Sequence, residues 1–410
     1  MPKKIMILGA GHFQLPAIRK AVEHGLYVIT VDYLPNNVGH KYSHKYINCS
    51  TVDKEGVLEK AMELEIDGIC TFSSDVAVPT MAYVCEKMSL PGISVNAAET
   101  MVDKHNFRVF LRDSGLGCPR FVAGKDFAEI SGKLGKLKFP VVFKPTDTSG
   151  SRGISKIDKL EERSACAAFK AASEFSRSGM VCVEEFVDGT EVGGDGLLVG
   201  GRFSFIAITH KHLNGFVVTG HSLPTNISSE DERRVTDVLE TCCRKLGYLN
   251  GPLNFDVKIS PDRVVILELS ARTGGNGIPE VIKRSTGTDV ELSAILLSLG
   301  EDVVFEKPPR QALKAGSFVF GSPTKGVLEK ICTKEELFKT IPEIFDVYLM
   351  IGQGENVLPF QHSGNMIGYV LFTYDERNSY QLICRRIQEK LGMEVLKEIS
   401  RMSAVVKEES

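Results

Sequence analysis

The stretch FDVKISPDRVVILELSARTGG, residues 255–275, most narrows the folds open to this chain. Two alternating runs flank Ser260-Pro261-Asp262-Arg263, a turn-forming sequence, so they pair as an antiparallel hairpin. Alternation then sets Asp256 opposite Glu268, with Ser270 and Arg272 further along the same face. Like charges directly opposite on a sheet are destabilising. Either a cation lies between the two carboxylates or one of them stays protonated.

The first hundred residues read differently. A strand over 4–10 is followed by a glycine turn, a helix over Leu15–His24 and a second strand, YVITVD, ending at Asp32. DGICTFSSD from Asp67 is another strand, and SLPGIS from Ser89 reads as one more short strand-to-helix transition. This alternation predicts an open, mostly parallel sheet. From Asp103 the pattern changes. A helix covers DKHNFRVFLRDSG, with Gly115 suited to its C-terminal cap. FPVVFKPTDTSGSRG is a strand feeding a glycine-serine loop, and MVCVEEFVDGTEVGGDGLLVGG is a strand, a linker and the start of an antiparallel sheet. Helices are expected near 230–246 and 380–391. A chain of 410 residues is too long for one core. The expected fold class is α/β: an N-terminal open parallel-sheet domain over 1–100, a core over 101–310 and a C-terminal α+β domain over 311–400.

The formal net charge is −3, with no strongly basic patch or arginine-rich tail, so no nucleic-acid partner is expected. Ten cysteines include no CxxC pair, which points to free thiols in a reducing compartment. No window approaches a membrane span, and the apolar run in MPKKIMILGAG is too short for a secretory core. The expected location is cytoplasmic.

Several motifs carry candidate chemistry. ILGAGHFQ offers Gly9 and Gly11 after a strand, but Gln14 stands where a dinucleotide fingerprint needs Gly or Ala. A tight turn is expected there rather than a nicotinamide or flavin site. HKYSHKYINC reads as a surface turn leading into a strand, not a metal site. Lys144 ends an apolar strand, and the loop Ser149-Gly150-Ser151-Arg152-Gly153 that follows is rich in backbone donors able to approach phosphate oxygens. In VEEFVDGTE, Glu191 is spaced to accept from ribose hydroxyls, or else serves as a charge on an edge strand. Beside phosphates, the Asp256–Glu268 pair favours Mg²⁺, with Mn²⁺ the alternative ion. Arg272 can clamp a phosphate or carboxylate, and His221 can contact phosphate, transfer a proton or cap the bend before Pro224.

Taken in order, these pieces resemble the ATP-grasp family, in its branch of carboxylate–amine ligases acting on amino acids. The resemblance rests on DK at 103–104, VVFKP at 141–145, the SGSRG loop, VEEFVDGTE, GHSLP, and FDV followed by LELSAR. It implies that the core over 101–310 is a two-lobed ATP-grasp unit and that ATP and Mg²⁺ are used. Lys104 and Lys144 would hold the ATP phosphates, with Ser149, Gly150, Ser151 and Gly153 in a lid loop. Glu184, Glu185 and Val187 would line adenine, partly through backbone groups, with Glu191 on ribose. Asp256 and Glu268 would hold the metal, joined by Ser270 where the family commonly has Asn. Arg272, Lys144 and His221 would be catalytic. The implied partners are a small-molecule carboxylate and an amine, with a homodimer compatible with the architecture. Three rival readings are a purine-biosynthetic or carboxylase-type ATP-grasp enzyme, a noncatalytic ATP-binding module and a nicotinamide oxidoreductase.

Overall fold

A computed structural model describes residues 1–303 and 313–396. The expected boundary at 310/311 lies outside the described residues.

The first sheet is all parallel: β1 (Lys4–Leu8), β2 (Tyr27–Asp32), β3 (Lys45–Asn48) and β4 (Gly68–Thr71), in the order β3-β2-β1-β4. Its inner strands are apolar almost throughout because both faces are covered. Met6, Leu8, Ile29 and Val31 pack on one side, and Ile5, Ile7 and Val28 on the other. Gly9 takes φ +94, and Asp32 turns back to accept from the backbone N–H of Ala10 at 3.0 Å. Gln14 braces the same turn: its Oε1 accepts from Gly11 and its Nε2 donates to Phe72 O. These residues serve the turn itself.

One expectation fails here. SLPGIS forms no strand; it is the turn between helices Val78–Met88 and Val95–Val102. Ser89 adopts a left-handed conformation that ends the first helix, and Ser94 caps the second by accepting from Ala97 N. The segment buries too little apolar surface to form a strand of its own.

The second sheet is antiparallel: β5 (Phe121–Gly124), β6 (Val141–Pro145), β7 (Ser155–Ile157) and β8 (Val181–Glu185), in the order β5-β8-β6-β7. Helices Phe127–Leu134 and Glu162–Phe175 cover it, packing Ile130, Leu134, Ala168 and Phe169 on Val141 and Phe143.

The remaining strands are β9 (Thr190–Val199), β10 (Arg202–Asn214), β11 (Val217–Leu223), β12 (Gly251–Ile259), β13 (Val264–Ser270), β14 (Ala315–Gly321), β15 (Gly326–Lys330), β16 (Ile344–Leu349), β17 (Asn356–Val357), β18 (Met366–Thr373) and β19 (Glu394–Leu396). Eight of them form one antiparallel sheet, β13-β12-β9-β10-β11-β14-β18-β16. The C-terminal strands β14, β18 and β16 thus continue the sheet that carries the hairpin. A three-stranded sheet, β17-β15-β19, lies beside them. The hairpin is β12–β13, and its register pairs Asp256 with Glu268 and Asn254 with Ser270.

The parallel sheet is stitched to the loop after β13. Phe72 bridges Thr273, and Ser73 bonds to Thr273 O and Gly274 O. That stitch closes one end of a cavity between the two antiparallel sheets.

Candidate active site

A cavity of about 470 Å³ separates the four-stranded sheet from the face of the eight-stranded one. Its apolar wall is Val142, Ile154, Phe186, Val187 and Leu267. Lys156 and Lys258 lie 4.7 and 4.5 Å from the Phe186 ring centroid, so this slot for a flat apolar group is rimmed by positive charge. Glu185 lines it too, its Oε1 accepting from Lys138 N at 2.8 Å. The backbone N–H groups of Glu185 and Phe186 already donate to Arg120 O and Pro140 O.

Beyond the slot come the cations. Lys144 and Glu184 form a buried ion pair on neighbouring strands, and Arg108 donates to the same carboxylate at 2.8 Å. Burial alone would raise Glu184, but Arg108 and Lys144 outweigh it and hold the acid at about 2. Burial lowers the Lys144 ammonium, against the pull of Glu184. Glu184 touches the cavity but acts as the anchor of Lys144 rather than as a free acceptor. Lys104 Nζ reaches Thr148 O at 2.8 Å and Glu268 Oε1 at 3.2 Å, which ties the base of the 149–153 loop to the hairpin.

That loop arches over the cavity. Ser149, Gly150, Ser151 and Arg152 line it, while Gly153 does not. Gly153 sits at φ +69, where a Cβ would lie 3.0 Å from the Phe175 ring and 3.2 Å from Ala171 O. Its role is to let the loop pack on helix Glu162–Phe175. Ser363 N donates to Gly150 O at 3.0 Å, and Ser151 Oγ donates to Phe216 O at 2.7 Å.

The floor is a charged row. Glu191, Lys211 and His221 occupy adjacent positions on β9, β10 and β11, with Lys258 beside Glu191 on β12. Lys211 Nζ lies 2.9 Å from Glu191 and 2.7 Å from Asp256. Burial raises the Asp256 carboxyl; Lys211 opposes this, while Glu191 and Glu268 add to it. Gly193 faces Asp256 across β9–β12, and a Cβ there would stand 2.5 Å from Asp256 Oδ1. The missing side chain is what gives that carboxylate its space.

His221 is held in one tautomer, with its proton on Nδ1. Thr209 Oγ1 donates to Gly193 O at 3.0 Å, so its 2.9 Å contact with His221 Nδ1 has the imidazole as donor. Nε2 is left with a lone pair. Burial, aided by nearby Lys211, keeps the ring neutral.

At the far end Arg272 is already engaged. Nε and Nη2 donate to Asp75, and Nη1 donates to Asn254 Oδ1 at 2.8 Å and Thr273 O at 3.0 Å. Asp195 supports this corner from below, accepting from Gly274 N and Asn254 Nδ2. Its burial lifts the carboxyl to about 7 despite those donors. Phe13, Ser73, Ser74, Gly275, Asn276 and Ile278 complete this end.

Asp256 and Glu268 both line the cavity on paired strands. Their hard oxygen donors suit a divalent ion that takes its other ligands from phosphate and water. Ser270 departs from expectation. It is 2 % exposed, lies outside the cavity lining, and its hydroxyl sits near Asp75 without a well-formed hydrogen bond. The metal set that fits is therefore Asp256 with Glu268.

Residues 137–280 match the family model described as the ATP-grasp domain. The chain carries an ATP-grasp domain. It is 25% identical over 279 residues to the alanine–anticapsin ligase of Bacillus subtilis, covering 62% of this chain and 58% of that one. It is 23% identical over 339 residues to human (Homo sapiens) carnosine synthase 1, covering 75% of this chain and 41% of that protein. The chain thus spans roughly half the length of these two relatives. The crystal structure of an L-amino acid ligase from Bacillus licheniformis superposes with TM-score 0.81 at 22% identity, covering 96% of this chain and 99% of that one. The fold is that of the L-amino acid ligase.

Four residues that line or brace this cavity escaped sequence reasoning: Lys211, Asn254 and Asp75 in its lining, and Arg108 behind Glu184. Asn254 and Lys211 sit on alternating strands at cavity-facing positions, and that alternation was the available signal. Arg108 and Asp75 have no local signature, because their partners lie 76 and 197 residues away.

Proposed function

We propose that this chain is an ATP-dependent ligase that activates a carboxylate as an acyl phosphate and couples it to an amine, most simply an amino acid, releasing ADP and phosphate. The observation that carries the reading is one cavity joining an apolar slot, a lysine pair, a facing carboxylate pair and an arginine corner in that order. The order matches the parts of a nucleoside triphosphate followed by its acceptor. The alanine–anticapsin ligase, carnosine synthase and L-amino acid ligase among its relatives support an amino-acid substrate over bicarbonate.

In this reading residues 1–100, 101–310 and 311–400 act as three domains around the cleft. Val142, Phe186, Val187 and Leu267 hold the base, with Glu185 at its edge, and Glu191 accepts from ribose. Lys144, fixed by Glu184, and Lys104 neutralise phosphate oxygens, and residues 149–151 cover them. Asp256 and Glu268 would hold Mg²⁺, which offsets phosphate charge when bound. Arg272, locked by Asp75 and Asn254, orients the carboxylate so that its oxygen faces the terminal phosphorus. Catalysis is positioning and charge stabilisation. His221, kept neutral by burial beside Lys211, offers Nε2 as a hydrogen-bond acceptor, while the proton lost by the attacking amine leaves with the released phosphate. Water kept out by the loop cannot hydrolyse the activated acid.

The test is incubation with Mg²⁺-ATP and pooled amino acids, reading ADP, phosphate and product mass, with hydroxylamine added to trap the acyl phosphate as hydroxamate. Amino-acid-dependent ADP release and a condensed product are expected, with Lys144→Ala and Glu268→Ala losing most of both. Tight ATP binding without ADP under any pool would overturn the reading in favour of a binding module. Bicarbonate-dependent turnover without an amine would overturn it in favour of a carboxylase-type enzyme.

A further inference from the structure

We infer that Lys211 is a resident cation that keeps a free divalent ion off Asp256 until nucleotide enters. The inference rests on the ligase reading above, which places the metal at Asp256 and Glu268.

Both acids of the hairpin pair carry an ammonium group. Lys211 Nζ is 2.7 Å from Asp256 Oδ2, and Lys104 Nζ is 3.2 Å from Glu268 Oε1. A divalent ion approaching the pair meets two cations, each on one of the oxygens it needs. The Lys211 side chain is only 7 % exposed, so solvent screens it poorly. Adding the ion alone raises the positive charge of a site whose acids are already neutralised. Adding it with a polyphosphate does not, because the phosphates bring the missing negative charge.

The contacts are asymmetric in a way that permits release. Lys211 serves two acids on different strands, Asp256 on β12 and Glu191 on β9. Swinging off Asp256 leaves Lys211 still paired with Glu191, so its charge is never stranded in the interior. Glu191 also has Lys258 at 3.7 Å, and among the described residues no other cation pairs with Asp256. Asp256 is therefore the partner that Lys211 can give up and the one an incoming metal requires. Metal and nucleotide then enter together.

The probe is Mn²⁺, with the free ion counted by electron paramagnetic resonance, with and without ADP. Wild type should bind Mn²⁺ weakly alone and at least about tenfold more tightly with ADP. Lys211→Met should bind Mn²⁺ without ADP at least about tenfold more tightly than wild type. Lys211→Arg should restore exclusion, and Asp256→Ala should abolish the gain of Lys211→Met. Lys211→Gln keeps a hydrogen-bonding group between the acids and should show the same gain, which guards against a misfolded methionine variant. Unchanged or weaker Mn²⁺ binding by folded Lys211→Met and Lys211→Gln, with ADP-dependent binding intact in wild type, would overturn the inference alone. Absence of Mn²⁺ binding by wild type even with ADP would instead remove the metal assignment, and the inference with it.

Discussion

Arg272 donates through both Nε and Nη2 to a single oxygen of Asp75, at 2.9 and 2.6 Å, and both side chains are about 10 % exposed. This pair joins the parallel-sheet region to the loop that follows the hairpin. Breaking a buried pair from one side leaves an uncompensated charge. Asp75→Ala should therefore lower stability by about 3–5 kcal/mol. Asp75→Ala/Arg272→Met should recover a large part of that loss. Chemical denaturation of the two singles and the double gives the coupling. Simple additivity of the two substitutions would show that the pair is not holding the corner.

The covering loop makes a second prediction. Ser151 Oγ and Gly150 O pin it to Phe216 O and Ser363 N, and Arg152, exposed just after them, is a trypsin site. One hydrogen bond contributes about 1 kcal/mol net, or roughly a fivefold change in the open population. Ser151→Ala should be cut after Arg152 roughly fivefold faster than wild type at limiting trypsin. An ATP analogue should slow cleavage of both proteins. Mass spectrometry of the fragments identifies the bond cut, and equal cleavage rates would mean that the hydroxyl does not hold the loop.

How far the sequence led depended on the distance between partners. The Asp256–Glu268 pairing was legible because a short turn and period-two alternation fix the register locally. Alternation likewise gave Lys144 a definite face, but not its partner, since Glu184 meets Lys144 and Arg108 only when β6, β8 and helix Lys104–Asp113 pack together. Glu184 was expected beside adenine; tertiary packing turned it inward, to two cations. Ser270 kept the face that alternation assigns but was covered by Asp75, from the short helical turn that follows β4. The first sheet was readable from its unbroken apolar strands, while SLPGIS misled because its proline and glycines mark a turn equally well between two helices.

Asp195 gives a pH signature. Its carboxyl is raised to about 7 by burial, above the ordinary Asp value near 4 that it has unfolded. Between those values the folded state holds a proton that the unfolded state has lost, so this group's stabilisation is full below about pH 4 and disappears as pH rises through about 7. In Asp195→Asn that dependence is gone. The stability of wild type relative to Asp195→Asn should fall by roughly 2.5 kcal/mol between pH 5 and pH 8. Parallel urea denaturation at four pH values measures it. A constant difference across the range would mean that Asp195 is ionised throughout.

Gly193 offers the sharpest steric test of the metal assignment. The residue is buried on β9 at a φ that is not left-handed, so alanine introduces no backbone strain there. Its Cβ, however, would come within 2.5 Å of Asp256 Oδ1 and 3.1 Å of Phe255 O. The backbone of β12 is fixed by pairing on both sides, so the carboxylate is what must move. Gly193→Ala should keep a near-normal melting temperature yet bind Mn²⁺-ADP about tenfold or more weakly, a loss of about 1.4 kcal/mol. If the effect runs through Asp256, the same substitution in an Asp256→Ala background should cost almost nothing further, because no carboxylate remains to displace. Titration calorimetry on the four proteins closes the cycle. Full additivity would place the damage of Gly193→Ala in the sheet backbone, not at the carboxylate.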